Sequence, residues 1–182
     1  MAFLHGKTVT DSSRQHHRSF NLDMNKGVYI LLLRNHECTM PIGALGTLHF
    51  SAGWHAYVGS AQGPGGLARV IRHINLNQRK NKKPHWHIDA LLLSIYFEII
   101  DIYCIHTDEQ IECMLAHRMT GKVIPGFGSS DCSCTGHLFY YAINPHEAIM
   151  YTLKSLPKTQ YLHEITIHKI PQTPSGEKSE RQ

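Results

Sequence analysis

Two patterns of apolar residues run along the chain, one typical of buried strands and one typical of amphipathic helices. Residues such as Val, Ile, Leu, Tyr and Phe cluster at 27–33, 97–105 and 138–143, and in shorter runs at 47–50 and 55–59. Short runs of this composition predict strands. The chain is therefore expected to build a β-sheet from these five segments.

The clearest helix follows a glycine-rich turn at 63–66. Its apolar residues recur at the i, i+3, i+4, i+7 spacing of a one-sided helix, and they are Leu67, Val70, Ile71 and Ile74. At about 100° per residue, Arg69, Arg72 and His73 fall on the opposite side. This helix is expected to separate a core face from a basic, polar face.

Start and stop signals predict three further helices. One lies around 85–93. Thr107 with Gln110 three residues later forms a capping box that opens the second, which Gly121 ends, and a similar box at Asn144–Glu147 opens the last. The order of the elements predicts an α+β fold: a small mixed or antiparallel sheet, three core strands plus extra strands, flanked by helices.

One folded domain is expected over residues 23–169. The segments 1–22 and 170–182 are polar and lack an apolar period, so we expect flexible tails there. The longest apolar tract, 88–105, contains three acidic residues, which argues against a membrane span. The five cysteines are irregularly spaced and no secretory signal opens the chain, which indicates free thiols in a reducing cytoplasm.

Candidate chemistry gathers on two strands and on the basic helix. Tyr29 and Tyr57 lie on strands predicted to be adjacent, and Arg69 and His73 are one helical turn apart. Hydrolysis of a phosphodiester needs a base for water, positive charge for the phosphoryl oxygens and help for the leaving oxygen. Since arginine can hold a phosphate through two hydrogen bonds, these residues predict a pocket for phosphodiester cleavage.

The arrangement resembles the GIY-YIG nuclease superfamily. The two halves of that family's motif stand here as Gly27-Val28-Tyr29 and Tyr57-Val58-Gly59, followed by the helix segment Arg69–His73 and by Glu112. The chain is most similar to a small stand-alone branch, typically archaeal or bacterial, whose marks are here Gly59-Ser60-Ala61, His85-Trp86-His87-Ile88-Asp89 and Ser130-Asp131-Cys132-Ser133-Cys134. Because 27 residues separate Tyr29 from Tyr57, an extra strand or loop is expected between the motif halves.

The resemblance implies roles for the catalytic residues. Tyr29 would contact the attacking water as general base, and Tyr57, Arg69 and His73 would complete the site. Glu112 would bind a divalent ion, Mg²⁺ or Mn²⁺, since Mg²⁺ commonly takes one or two carboxylates together with water and phosphate oxygens. A phenol with a pKa of about 10 is a poor base, so nearby cations such as Arg69, Arg72 and the metal are expected to lower the pKa of Tyr29.

Further basic residues predict a DNA partner. Phosphate contacts are expected from Arg72, Arg79, Lys80, Lys82 and Lys83, and the nucleic-acid cleft is expected to include His85 and His87. A net charge of +4 permits such a partner without demanding it. The leading interpretation is a metal-dependent endonuclease acting on DNA, in a setting such as repair or recombination.

Two other interpretations remain open. A non-catalytic nucleic-acid-binding module would use the tyrosines to stack bases and the 79–83 loop to follow phosphates. A zinc-stabilised interaction domain would use His85-x-His87 and the segment Cys132-x-Cys134-x-x-His137. Against zinc, two cysteines one residue apart are closer than the usual C-x₂₋₄-C spacing, and no second pair exists. The sequence assigns no role to Asp131.

Overall fold

A computed structural model describes residues 26–157 and 162–171. In these residues the strands are β1 (Gly27–Asn35), β2 (Cys38–Pro41), β3 (Thr47–Phe50), β4 (Gly53–Ser60), β5 (Phe97–Thr107), β6 (Lys122–Ile124), β7 (Leu138–Tyr141) and β8 (Leu162–Lys169). The helices are α1 (Ala68–Arg79), α2 (His87–Leu93), α3 (Glu112–Arg118) and α4 (His146–Lys154). The predicted tails lie outside the described residues, apart from 170–171.

Six strands form one antiparallel sheet in the order β6-β7-β4-β1-β5-β8, while β2 and β3 form a separate two-stranded ribbon. The α+β prediction is confirmed, and so is the extra structure expected between Tyr29 and Tyr57, because the β2–β3 ribbon lies there. No helix among the described residues has the length and apolar character needed to cross a membrane.

The central strand β1 is buried on both faces. Val28, Ile30 and Leu32 pack in one core with α3 and α4, whereas the alternating residues that start at Tyr29 pack in a second core with α1 and α2. A strand covered on both sides reads as a continuous apolar run. This is why the 27–33 segment shows no alternation with polar residues.

The register of β1 and β4 places both tyrosines on one face of the sheet. Tyr29 lies opposite Gly59 and Leu31 lies opposite Tyr57, so the two tyrosines are diagonal neighbours with ring centroids 6.4 Å apart. A Cβ atom at Gly59 would lie 2.5 Å from the Tyr29 ring and hydroxyl. Glycine at position 59 therefore leaves the space that the Tyr29 phenol occupies.

The predicted capping box at Thr107 is wrong. β5 continues through Thr107, which pairs with β8, and the Thr107 hydroxyl accepts a hydrogen bond from the backbone N–H of Glu109 in the turn that follows. α3 begins only at Glu112 and ends at Arg118, before Gly121. Pairing between distant strands has overridden a local helix signal here. The sequence also did not predict β6, β8 or β2, the first strand of the ribbon.

Candidate functional site

One pocket of about 300 Å³ brings together the predicted catalytic residues and the predicted metal ligand. The lining includes Tyr29 from β1, Tyr57 from β4, Arg69 and His73 from α1, and Glu112 from α3. His85, Trp86, His87 and Asp131 also line it. Residues more than 80 positions apart in the sequence thus share one cavity.

Tyr29 and His73 form a buried hydrogen-bonded pair. Oη of Tyr29 lies 2.9 Å from Nε2 of His73, and both residues are 1% exposed. His73 was predicted on a polar helix face, and that prediction is wrong. α2 packs against α1 and covers the side that an isolated helix would expose, with Asp89 of α2 placing Oδ1 3.9 Å from Nδ1 of His73.

Burial controls the protonation of this pair. It raises the pKa of Tyr29 well above its ordinary value and outweighs the lowering effect of the Arg69 charge. It also raises the pKa of Tyr57 and lowers the pKa of His73 to about 3. The Arg69 charge lowers the pKa of Tyr29 as expected, but desolvation outweighs it, so the net shift is upward. At neutral pH the pair consists of a neutral phenol and a neutral imidazole.

Arg72 is held within the protein by Asp89. Nη1 and Nη2 of Arg72 donate to the two Asp89 oxygens at 2.9 and 2.6 Å, and the backbone N–H groups of His85 and Trp86 donate to Oδ2. Burial alone would raise the pKa of Asp89, but these hydrogen bonds and the Arg72 charge lower it. The guanidinium predicted to contact phosphate is therefore engaged in an ion pair.

Arg69 and Arg72 both lie over the ring of Trp86. Its ring centroid lies 5.0 Å from the guanidinium carbon of Arg69 and 4.5 Å from that of Arg72, and 41% of the residue is exposed. Nη1 of Arg69 also donates to the Ser60 carbonyl at 2.9 Å. Arg69 is thus fixed at the wall of the pocket. Sequence reasoning singled out the segment around Trp86 but gave the tryptophan no role.

The other predicted DNA-binding residues differ from one another in their contacts and exposure. Nζ of Lys80 donates to the carbonyls of Leu92 and Ser94 at the end of α2, so its ammonium group has structural partners. Arg79 and Lys82 line a second cavity of about 310 Å³, and Lys83 is exposed. Nδ1 of His87 accepts a hydrogen bond from the backbone N–H of Gly128 at 3.3 Å, and His85 is exposed and lines the main pocket.

Three cysteines and a histidine cluster beside Glu112. The thiols of Cys113, Cys132 and Cys134 and a nitrogen of His137 all lie within 4.8 Å of one another. These residues could hold a metal ion, and their donor atoms are of the zinc type. Sequence reasoning considered three of the four but missed Cys113. A single cysteine on a separate helix carries no spacing signal, so only the fold could add it.

The model of DUF123, a domain of unknown function, matches residues 28–158. No curated protein and no solved structure matches. The predicted membership of the GIY-YIG superfamily is wrong, since the family model that matches is that of DUF123. The matched range contains the whole pocket and the Cys/His cluster.

Proposed function

The chain belongs to the DUF123 family, and we propose that it is a metal-dependent endonuclease that hydrolyses phosphodiester bonds in DNA. One observation carries the proposal: a single pocket holds a buried phenol–imidazole pair, a fixed guanidinium and a carboxylate. These groups match the needs of phosphodiester hydrolysis, namely a proton acceptor, positive charge and a ligand for a cation. The geometry supports the proposal independently of the family, whose description assigns no activity.

The Tyr29–His73 pair can take a proton from water although the Tyr29 phenol is not ionised beforehand. Water gives its proton to Oη of Tyr29 while the phenolic proton passes along the 2.9 Å hydrogen bond to Nε2 of His73. The resulting hydroxide attacks phosphorus as the bond to the leaving oxygen breaks, and that oxygen takes a proton from solvent. His73 becomes an imidazolium. Burial disfavours this charge, as the lowered pKa of His73 reflects, and the Asp89 carboxylate 3.9 Å from Nδ1 offsets part of that cost. The raised pKa of Tyr29 is compatible with this relay because the phenol stays protonated throughout.

Arg69 and the pocket carboxylates supply the charges. The Ser60 carbonyl and the Trp86 ring orient the Arg69 guanidinium, whose other N–H groups suit a phosphoryl oxygen. Glu112 and Asp131 both line the pocket, and two carboxylates fit the ligand preference of Mg²⁺ or Mn²⁺. Such a cation would add positive charge at the phosphoryl and leaving oxygens.

DNA is proposed as the substrate because cationic side chains flank the pocket. Arg79 at the end of α1 and Lys82 in the following loop line the second cavity, and Lys83 is the next residue. Arg72 lines the same cavity and lies over Trp86, which lines the main pocket. Exposed cations of this kind favour a polyanion over a small phosphate ester.

A cleavage assay tests the proposed function. Linear and branched DNA are incubated with the protein in the presence and absence of Mg²⁺ or Mn²⁺, and cleavage is expected only with the ion. Glu112→Gln should abolish cleavage and retain much of the DNA binding, whereas the matched control Glu109→Gln, whose carboxylate does not line the pocket, should cleave normally. Salt-dependent binding without cleavage under every condition would instead support the non-catalytic module.

A further inference from the structure

The Cys/His cluster brings together two parts of the chain that belong to no common helix or strand. Cys113 belongs to the first turn of α3, whereas Cys132, Cys134 and His137 belong to residues 125–137, which contain no helix or strand. The described cysteines form no disulfide. We propose that these four residues bind one Zn²⁺ in a closed, structural site that clamps the start of α3 to this segment.

The separations of the donor atoms fit zinc. Tetrahedral zinc with Zn–S bonds of about 2.3 Å and Zn–N bonds of about 2.0 Å places two sulfurs roughly 3.8 Å apart, and a sulfur and a nitrogen roughly 3.5 Å apart. Sγ of Cys132 already lies 3.5 Å from Nε2 of His137. Because no pair in the cluster exceeds 4.8 Å, the tetrahedron is completed when sulfur–sulfur pairs contract by at most about 1.0 Å and sulfur–nitrogen pairs by at most about 1.3 Å.

The protein backbone holds the ligand segment in a folded-back shape. The N–H of Gly126 donates to the carbonyl of Thr135, and the N–H of His137 donates to the carbonyl of Phe127, both at 2.7 Å. These bonds present the C-x-C pair and His137 towards α3. The objection that the sequence has only one cysteine pair is met by Cys113, which supplies the third thiol from the helix.

Zinc would also orient Glu112. With Nε2 on the metal, His137 carries its proton on Nδ1, which is buried and has no well-aligned hydrogen bond among the described residues. The Oε1 atom of Glu112 lies 3.3 Å away. Metal-bound histidines commonly donate their second N–H to a carboxylate, which fixes both groups. One oxygen of Glu112 would be fixed in this way, and the other would remain available to bind a cation in the pocket.

Metal content tests the zinc site without reference to catalysis. Protein purified without added metal or chelator is expected to contain one zinc per chain, which Cys113→Ser and Cys134→Ser should lose and the matched control Cys38→Ala should keep. In case the serine variants fail to fold, wild-type protein stripped with a chelator should give a thiolate-to-cobalt charge-transfer band when Co²⁺ is added. Absence of both zinc and this band, or full zinc content in both serine variants, would overturn the site.

The link to Glu112 rests on the proposed function and has its own test. His137→Cys keeps four zinc ligands but removes the imidazole beside Glu112. This variant should retain one zinc, whereas its affinity for Mn²⁺ and its cleavage rate should fall by about 10–100-fold. Unchanged Mn²⁺ affinity and cleavage in zinc-loaded His137→Cys would refute the positioning role. A stoichiometric zinc in a protein that cleaves no DNA would leave the zinc site standing and remove the nuclease proposal.

Discussion

Removing the Arg72 guanidinium should cost more in stability than in DNA binding. Arg72→Met keeps most of the apolar stem but leaves the Asp89 carboxylate, which is fully buried, without its countercharge. Only the backbone N–H groups of His85 and Trp86 would still donate to it. An uncompensated buried charge is among the few changes that destabilise a protein strongly.

The size of the effect follows from the two hydrogen bonds lost, at 2.9 and 2.6 Å. Each hydrogen bond to a charged group contributes about 1.5–3 kcal/mol, and breaking a buried ion pair costs roughly 3–5 kcal/mol. The Arg72 side chain is 32% exposed, so water already screens part of the interaction and the lower end, about 3 kcal/mol, applies. At about 2–4 °C per kcal/mol, Tm should fall by roughly 6–12 °C.

Urea denaturation of a double-mutant cycle measures this loss. The four proteins are the wild type, Arg72→Met, Asp89→Asn and the double variant, and the double variant should lose less stability than the sum of the single ones. Arg79→Met, on the same helix and without an ion pair among the described residues, is the matched control and should change stability by less than about 0.5 kcal/mol. A loss for Arg72→Met below about 1 kcal/mol, the value of an exposed pair, would refute the reasoning.

Three further predictions concern the space for the phenol, pH and salt. Gly59→Ala should displace Tyr29 and lower cleavage and Tm, whereas Gly63→Ala, whose Cβ would meet nothing closer than 3.9 Å, should be nearly silent; equal effects would contradict the packing argument. The lowered pKa of Asp89 stabilises the fold above its unfolded pKa of about 3.9, and this contribution disappears as pH falls through the lower folded value. Wild-type stability should therefore drop more steeply than that of Asp89→Asn in acid, and parallel urea midpoints across acidic pH would exclude this linkage. Neutralising both lysines at 82–83 should weaken binding of all DNA sequences about equally and flatten the salt slope, and a sequence-selective loss would show base reading instead.

The sequence predicts those features whose signals are local and strong. The apolar run at 27–33 marks the central strand because both of its faces are covered, and the stripe from Leu67 to Ile74 marks the core face of α1. Strand pairing then places Tyr29 beside Tyr57. Five of the thirteen residues that line the pocket lie on these elements, namely Tyr29, Tyr57, Ser60, Arg69 and His73.

Features made by distant packing could not be predicted. His73 looks polar on an isolated helix, and its burial depends on α2, whose Asp89 lies 16 positions later. The same packing converts Arg72 from a presumed phosphate ligand into the partner of Asp89. The raised pKa of Tyr29 results from desolvation, which no spacing of residues along the chain reports.

Single-turnover cleavage by Arg69→Ala tests the central claim most directly, namely that this pocket hydrolyses phosphodiesters. With enzyme saturating over DNA in the presence of Mg²⁺ or Mn²⁺, the wild type should cleave, and Arg69→Ala should be slower by about 10²–10³-fold with little change in DNA affinity. Arg69→Lys should recover little of the rate, because a point charge cannot reproduce the two-pronged guanidinium. Arg79→Ala, the matched control, should alter affinity only. Cleavage by Arg69→Ala at the wild-type rate, or no cleavage by the wild type with either ion, would contradict the account.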